Sequence, residues 1–147
     1  IEALVREAYE PYIERIGHPP GPLGDDYAAI VAAGRARVAR RGSRIVGLLV
    51  SSLHPDHVLV ENVAVAASER RTGLGTRLLD LAEEDARRAG LPEVRLYTHE
   101  LMVENLAFYP RRGFHETGRQ TEDGFSRVFF ARPVPNIASE VPEPPAE

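Results

Sequence analysis

Residues 70–75 read Arg70-Arg71-Thr72-Gly73-Leu74-Gly75, and this segment lies between an apolar run and an amphipathic one. The first amides of an α-helix have no acceptor within the helix, so a helix N-terminus attracts anions. Glycines at 73 and 75 let the backbone approach a phosphate closely, because they carry no Cβ atom. The segment therefore predicts that amides from Arg71 to Thr76 surround a pyrophosphate, with the Arg70 and Arg71 side chains at its rim.

Two common phosphate-binding motifs do not fit the residues that follow. A nucleotide P-loop has a lysine and a hydroxyl residue after its last glycine, whereas Thr76-Arg77 follows Gly75 here. A dinucleotide fingerprint requires a small residue at position 78, which is Leu78. From these residues alone, two interpretations stay open. The segment either binds some other phosphate ligand or is a tight turn that packs a helix against a sheet.

The flanking patterns predict a mixed α+β fold. Six segments have the composition and alternation of β-strands, and they span residues 37–41, 44–53, 58–65, 93–98, 114–120 and 125–132. Four segments have the helical period, and they span residues 1–17, 26–33, 74–89 and 103–112. Asp25-Asp26 supplies an N-cap for the second helix, Gly90 ends the third, and Pro11 is expected to bend the first.

Length and composition set broad limits on the class of protein. A chain of 147 residues suits one domain, and its formal net charge of -4 argues against nucleic acid as the main partner. The absence of cysteine excludes disulfides, thiolate zinc sites and cysteine nucleophiles, and fits the reducing cytoplasm. No apolar run reaches the roughly 18 residues that a membrane span needs, so we expect no membrane partner.

Two segments together resemble the GNAT superfamily of acetyl-CoA-dependent N-acetyltransferases. The first is Val63-Ala64-Val65 followed by Arg70-x-x-Gly73-x-Gly75, which is similar to the Gln/Arg-x-x-Gly-x-Gly/Ala signature of that family. The second is Asn105-Leu106-Ala107-Phe108-Tyr109-Pro110-Arg111-Arg112-Gly113-Phe114, which is similar to its Asn…Ala…Tyr…Gly-Phe element. The two segments occur in family order, separated by a predicted helix and strand, and the resemblance covers about residues 44–131.

The resemblance implies a single N-acetyltransferase domain over residues 1–132. Residues 133–147 hold five prolines and no apolar periodicity, so their composition predicts an extended or flexible tail. The resemblance also implies a mixed, mostly antiparallel twisted sheet of about six to seven strands, flanked by about four helices. The central strands would splay apart to form a cleft for acetyl-CoA, the co-substrate, and no metal is implied. Family members open with a strand, and this chain begins at Ile1, so we expect a short native segment upstream.

Carried over residue by residue, the resemblance also implies the contacts to the co-substrate. The backbone of Val63 and Val65 would hydrogen-bond the pantetheine arm, and Asn105 would contact the cofactor. Amides of the glycine segment would bind the pyrophosphate. The full set of expected binding residues is Val63, Val65, Arg70, Arg71, Thr72, Gly73, Leu74, Gly75, Thr76 and Asn105.

The same resemblance places Tyr109 beside the sulfur as general acid and makes Glu61 a candidate base, acting directly or through water. A base or proton relay is needed because an alkyl ammonium has a pKa near 10. His99 is an alternative base, since histidine titrates near neutral pH. Plainer roles stay open: a core tyrosine, a strand-end histidine, or a glutamate sharing a strand face with valines. Pro110 cannot donate to the helix ladder, so we expect a bend beside Tyr109.

The acceptor is less defined than the donor. The resemblance implies a primary amine, for which a small molecule is the leading interpretation and a protein N-terminus or lysine the alternative. A non-catalytic acyl-CoA-binding module is a further alternative. The family's ribosomal-protein-type enzymes have a shorter connection than residues 96–105, and the family also includes many homodimers.

We expect His54-x-x-His57 to be a surface turn rather than a metal site, and Arg111 and Arg112 to complement a helix C-terminus.

Overall fold

The computed structural model of the protein describes residues 1–10, 22, 25–122 and 125–135. Within these ranges the chain forms four α-helices, which are α1 Glu2–Tyr9, α2 Tyr27–Ala32, α3 Leu74–Arg88 and α4 Val103–Phe108. It also forms six strands, which are β1 Ala36–Arg41, β2 Arg44–Leu53, β3 Val58–Val65, β4 Glu93–His99, β5 His115–Glu122 and β6 Phe125–Pro133. Short 3₁₀ helices precede α3 and follow α4, at Ala67–Glu69 and Pro110–Arg112.

The six strands form one sheet in the order β1-β2-β3-β4-β6-β5. Every neighbouring pair is antiparallel except β3 and β4, which are parallel and are connected through α3. The predicted mixed, mostly antiparallel α+β fold is therefore confirmed. Among the helices formed by the described residues, none has the length and apolarity that a membrane crossing requires.

Most predicted boundaries agree with the structure. Asp26 caps α2 through its carboxylate, which accepts a hydrogen bond from Ala29 N at 3.1 Å. Gly90 follows α3 with a φ of 71°, as expected of a left-handed stop. Of the segment predicted to be one helix over residues 1–17, the described part contains α1. The bend predicted at Pro11 lies outside the described residues.

The core extends slightly beyond the predicted domain boundary at residue 132. β6 runs to Pro133, and the next residue, Val134, is buried and donates its amide to Pro92 O at 2.8 Å. Both residues therefore belong to the packed part of the molecule. The rest of the predicted tail, residues 136–147, lies outside the described residues.

Apolar side chains fill both faces of the sheet. On one face the buried cluster joins α3 to β3, β4 and β6, and it consists of Leu49, Val58, Val60, Leu78, Leu79, Ala82, Ala86, Val94, Leu96, Tyr109, Phe114, Val128, Phe130 and Val134. On the other face α1 and α2 cover β2 and β3, and the cluster consists of Leu4, Val5, Tyr27, Ile30, Val46, Leu48, Val50, Ala64 and Ala66. The helices thus cover the middle of the sheet from both sides, around β3.

A β-bulge interrupts β3 in its middle. Val50 pairs with Asn62 and Ser51 pairs with Val60, so Glu61 is an extra residue without a partner on β2. An extra residue shifts the alternation of side chains, which places Val60 and Val63 against the same core cluster. The uninterrupted alternation that we assumed for Glu61 and its neighbouring valines is therefore wrong. The two-residue alternation of side chains along β3 is interrupted at Glu61 itself.

The parallel strands β3 and β4 separate beyond the bulge. They pair over three residues only, Val58 with Val94, Leu59 with Arg95 and Val60 with Leu96. Both strands continue past this point, to Val65 and His99. The sheet is thus open between their carboxyl ends, as expected for splayed central strands.

Pro110 changes the type of helix instead of kinking one continuous helix. α4 ends at Phe108, Tyr109 is its C-cap, and Pro110 begins the 3₁₀ helix that Gly113 ends with a φ of 85°. The first position of a helix needs no amide donor, so proline is tolerated there. The single helix predicted over residues 103–112 is therefore two short segments, with Tyr109 at their junction.

Gly47 on β2 gives a test of how tightly α3 packs on the sheet. A Cβ atom at this position would lie 3.0 Å from Leu74 Cδ2 and 3.2 Å from Ala39 Cβ. We predict that Gly47→Ala lowers the free energy of unfolding by about 1–3 kcal/mol, the usual range for overpacking. Urea denaturation measures this, with Gly118→Ala on β5 as control, because a Cβ there meets nothing within 4 Å. An equal effect at both glycines would contradict the close packing of α3.

Candidate active site

The turn before α3 has the geometry of an anion-binding helix start. Arg71 has a φ of 69° and Gly73 a φ of 85°, so both adopt the left-handed conformation that turns the chain into the helix. The first hydrogen bond of the helix runs from Arg77 N to Gly73 O, at 3.1 Å. The amides of Leu74, Gly75 and Thr76 precede it and have no acceptor within the helix. The left-handed conformation of Arg71 was not predicted from the sequence, because this conformation is uncommon for a residue with a side chain.

Glu69 fixes the base of this turn. Its side chain is 5% exposed and forms a two-pronged ion pair with Arg41, at the end of β1. Its carbonyl oxygen accepts a hydrogen bond from Thr72 Oγ1 at 2.6 Å. The hydrogen bond from Arg41 lowers the pKa of the Glu69 carboxyl below its usual value. The turn is therefore attached to β1 through an ion pair. The Glu69 carboxylate without Arg41 would repel an anion bound at the turn.

The two sequence motifs meet at Gly75. A Cβ atom at Gly75 would lie 3.3 Å from Phe108 Cζ, so the glycine makes room for the aromatic ring of α4. Arg112 stacks on that ring, with Cζ 3.7 Å from its centroid. Its Nε donates to Thr76 Oγ1 at 2.9 Å and its Nη1 to Phe108 O at 3.0 Å. Arg112 thus complements the C-terminus of α4, as expected, and also joins it to the start of α3.

A cavity of about 450 Å³ extends from this turn along the carboxyl end of β3 to α4. Its lining contains nearly all the residues predicted to bind the co-substrate, together with Arg112 and Phe108. Thr72 is the predicted contact that does not line it, and its hydroxyl is bonded to Glu69 O. We call this space the donor cavity.

The backbone of β3 faces the donor cavity at alternate residues. Ala66 N donates to Val46 O at 2.8 Å, which makes this a hydrogen-bonded pair of the β2–β3 ladder. In an antiparallel ladder such pairs alternate with non-bonded ones, so the next bonded residue toward the bulge is Ala64. The amide and carbonyl groups of Val63 and Val65 therefore point away from β2, and the Val63 carbonyl accepts a long hydrogen bond from the Tyr9 hydroxyl, at 3.4 Å.

A second cavity, of about 240 Å³ as bounded by the described residues, lies between the splayed ends of β3 and β4. We call it the acceptor cavity. Its wall contains polar and charged residues from β3, β4, β6 and the start of α2, including Asp25, Glu61, His99 and Arg127. The two cavities share five lining residues: Tyr9, Val63, Met102, Asn105 and Tyr109.

Tyr109 lies where the two cavities meet. Its side chain is 9% exposed and is held by Phe114 and Phe130, whose ring centroids lie 5.7 and 5.8 Å away. Asn105, one turn earlier, donates from Nδ2 to Thr98 Oγ1 at 3.1 Å and so attaches α4 to β4. The junction of the α-helix and the 3₁₀ helix thus presents Tyr109 to both cavities while its ring stays packed.

The carboxylates of the acceptor cavity form a cluster with one arginine. Glu61 is ion-paired with Arg35, which precedes β1. Partial burial raises the pKa of Asp25, the nearby Glu61 carboxylate raises it further, and Arg35 lowers it. Asp25 was not predicted as a site residue, because it is distant in sequence and its role as part of a helix N-cap signal explained it.

A buried polar network lies behind this cluster, and sequence reasoning missed it. Asn62 is 3% exposed; its Oδ1 accepts from the Tyr9 hydroxyl at 2.7 Å and its Nδ2 donates to the Tyr27 hydroxyl at 2.9 Å. Tyr27 in turn donates to Pro22 O at 2.6 Å, and burial raises its pKa to about 12. The network ties α1 and α2 to β3 at the bulge. Its one signal in the sequence is an asparagine inside an apolar strand.

The histidines occupy the positions expected of them. His99 lines the acceptor cavity, and its Nδ1 accepts a hydrogen bond from Leu101 N at 3.1 Å, which stabilises the turn between β4 and α4. His54 and His57 stack in the β2–β3 turn, with ring centroids 4.6 Å apart. His54 contacts Ser52 and His57 contacts Asp56. No cluster of three potential metal-binding side chains occurs within the described part of the chain.

Comparison with known proteins identifies the family. A sequence profile of the acetyltransferase (GNAT) family matches residues 1–114. The chain therefore belongs to the GNAT family, a family of acyltransferases. The match includes the glycine turn, β3 and the segment that carries Asn105 and Tyr109.

Individual relatives are more distant. The uncharacterized protein YxbD of Bacillus subtilis (strain 168) is 32% identical over 72 residues, which covers 49% of this chain and 44% of that protein. The ribosomal-protein-S18-alanine N-acetyltransferase of Escherichia coli has a similar fold, with a TM-score of 0.66 at 18% identity over 90% of this chain and 84% of that one. A proposed streptothricin acetyltransferase of Bacillus anthracis str. Ames, solved in complex with acetyl coenzyme A, also has a similar fold. Its TM-score is 0.61 at 21% identity, over 67% of this chain and 61% of that one.

The Glu69–Arg41 pair predicts how stability depends on pH. The pKa of Glu69 is lower in the folded than in the unfolded state. The stability that the ion pair contributes is therefore present above the unfolded-state pKa of about 4.3, and it is lost as the pH falls through the folded-state pKa. We expect Glu69→Gln to lower the melting temperature at pH 7, with the difference from the parent shrinking in acid. Glu116→Gln, which removes an exposed pair with Arg119, serves as control and should change the melting temperature less. A Glu69→Gln effect independent of pH would contradict the ion pair.

Proposed function

We propose that the protein transfers the acetyl group of acetyl-CoA to a primary amine of a small molecule, by direct attack in a ternary complex. The observation that carries this proposal is the meeting of the donor and acceptor cavities at Val63, Asn105 and Tyr109. Direct transfer requires both reactants to reach one carbon atom, and holding them there supplies much of the rate enhancement.

Two parts of acetyl-CoA, the pyrophosphate and the pantetheine arm, have matching groups in the donor cavity, which supports this choice of donor. The amides that begin α3 suit the pyrophosphate, and Arg41 offsets the one carboxylate of that turn. The backbone groups of Val63 and Val65 suit the amides of the pantetheine arm. When bound, acetyl-CoA supplies an activated thioester at the junction of the cavities. The acetyl coenzyme A complex of the structurally similar Bacillus anthracis protein supports this choice of donor.

The acceptor amine has to lose a proton before it attacks. A primary ammonium has a pKa near 10, so most of it is charged at neutral pH. Glu61 lies in the cavity wall and accepts this proton directly or through a water molecule. The backbone amide of Val63 or Val65 donates to the thioester oxygen, which gains negative charge as the C–N bond forms.

Tyr109 donates a proton to the sulfur as the C–S bond breaks. An ordinary phenol has a pKa of about 10 and an ordinary thiol about 8.5, so this transfer is uphill by about 2 kcal/mol in water. A desolvated thiolate is more basic, which reduces the difference. We therefore assign Tyr109 a hydrogen bond that strengthens as charge develops on sulfur, with proton transfer completing the step. After the C–N bond has formed, the nitrogen loses its second proton to solvent, and solvent returns a proton to the phenol.

Two other functions compete with this proposal. The first is acetylation of a protein N-terminus or lysine, favoured by the fold likeness to the ribosomal-protein-S18-alanine N-acetyltransferase. The volume of the acceptor cavity, below the roughly 300–1,000 Å³ of many ligand pockets, favours a compact acceptor instead. The second is a non-catalytic acyl-CoA-binding module, which would not require Glu61 in the acceptor cavity or Tyr109 at the meeting point of the two cavities.

An acceptor screen tests the function. Free thiol release from acetyl-CoA is followed with amino acids, polyamines, aminoglycosides and short peptides, and products are identified by mass spectrometry. We expect amine-dependent thiol release with at least one small molecule and slower release with peptides. Faster acetylation of peptides would support a protein substrate. Binding of acetyl-CoA without turnover on any amine would support the binding module.

Removal of the Tyr109 hydroxyl tests its role. We predict that Tyr109→Phe lowers kcat by about 10²-fold or more, the usual contribution of a general acid, with the Kd of acetyl-CoA unchanged. Tyr27→Phe is the matched control, because that hydroxyl is bonded to Pro22 and lines neither cavity. It should lower the melting temperature while most turnover persists. Full turnover in Tyr109→Phe would refute the assignment.

A further inference from the structure

The acceptor cavity has charges of both signs on its two sides. On the side of β3 and α2 are the carboxylates of Glu61 and Asp25, of which Glu61 is paired with Arg35. On the side of β4 and β6 is the guanidinium of Arg127. The gap between the splayed strands separates the two sides, because β3 and β4 no longer pair beyond Val60.

The carboxylate side suits an ammonium group. Asp25 lies in the field of the Glu61 carboxylate: burial raises the pKa of Asp25 most, repulsion by Glu61 raises it further, and Arg35 lowers it by less. A cation between them relieves that repulsion. The ammonium would then lie beside Glu61, the proposed base.

The Arg127 side suits a carboxylate. Arg127 Cζ lies 4.9 Å from the centroid of the Tyr97 ring, and Tyr97 packs in turn on Phe129 with centroids 5.7 Å apart. Stacking on an aromatic ring orients the plane of a guanidinium, whose paired donors match the two oxygens of a carboxylate. A second ammonium at this position would be repelled by the guanidinium.

We propose that the acceptor is an amino-carboxylate, a small molecule that bears both its reactive primary amine and a carboxylate which Arg127 binds. This inference rests on the proposed acetyl transfer and narrows the class of acceptor. Diamines, alkylamines and amidated amino acids each lack the second group. A peptide N-terminus also lacks it, because its nearest carboxyl is an amide.

Matched acceptors test the proposal on the full chain with acetyl-CoA. Each amino acid is compared with its amide and with the amine that results from its decarboxylation, for example lysine with lysinamide and 1,5-diaminopentane. We expect kcat/KM to be about 10- to 100-fold higher for the best amino-carboxylate than for its two partners, the effect of one charge-assisted hydrogen-bonded pair. Equal or better transfer to the partners overturns the proposal and leaves acetyl transfer standing. Absence of transfer to any amine overturns both.

Variants of Arg127 separate recognition from folding. Arg127→Gln should remove most of the preference for the carboxylate by raising KM, and Arg127→Glu should reverse it in favour of diamines. The control is Arg119→Gln on β5, an exposed arginine that is paired with Glu116 and lines neither cavity. Acetyl-CoA affinity and melting temperature establish that each variant is folded. An equal loss of kcat/KM for every amine in both Arg127 variants would assign Arg127 a structural role and overturn the proposal.

Discussion

The incomplete pairing of β3 with β4 is the constraint on which the rest of the site depends. Backbone amides and carbonyls need partners, and two parallel strands would normally satisfy each other along their whole length. Here the ladder ends at Val60 and Leu96, and the bulge at Glu61 redirects β3 from that point. The backbone groups of Val63 and Val65 are left facing a gap that both cavities enter. A ligand with amide groups of its own is the natural complement of such an edge.

Helix packing keeps this gap open. α3 begins at the glycine turn that lines the donor cavity, and α4 is attached to β4 by the hydrogen bond from Asn105 to Thr98. The network of Asn62 with Tyr9 and Tyr27 attaches α1 and α2 to β3 directly beside the bulge. Each wall of the gap is therefore held by a different helix. Neither wall relies on hydrogen bonds across the gap.

Sequence patterns predicted the elements of the fold and the glycine turn well, because both follow from local rules. The limits of β2 and β3 and the stop of α3 at Gly90 depend on alternation, period and glycine geometry within a few residues. The bulge at Glu61 was not predictable, since it appears only when the register with β2 is known. The same holds for the pairing of Glu61 with Arg35 and for Asn62, whose partners lie 53 and 35 residues away. Long-range polar contacts leave little trace in a single sequence.

The contact between Gly75 and Phe108 joins the two signatures physically, although they lie far apart along the chain. A new Cβ at Gly75 would lie 3.3 Å from Phe108 Cζ, so a larger residue there requires the ring to shift by a few tenths of an ångström. Substitutions at positions 75 and 108 are therefore expected to be coupled, and their separate costs would not add. Relatives that differ at position 75 should therefore tend to differ at position 108 as well, and such covariation would mark the contact between the glycine turn and α4.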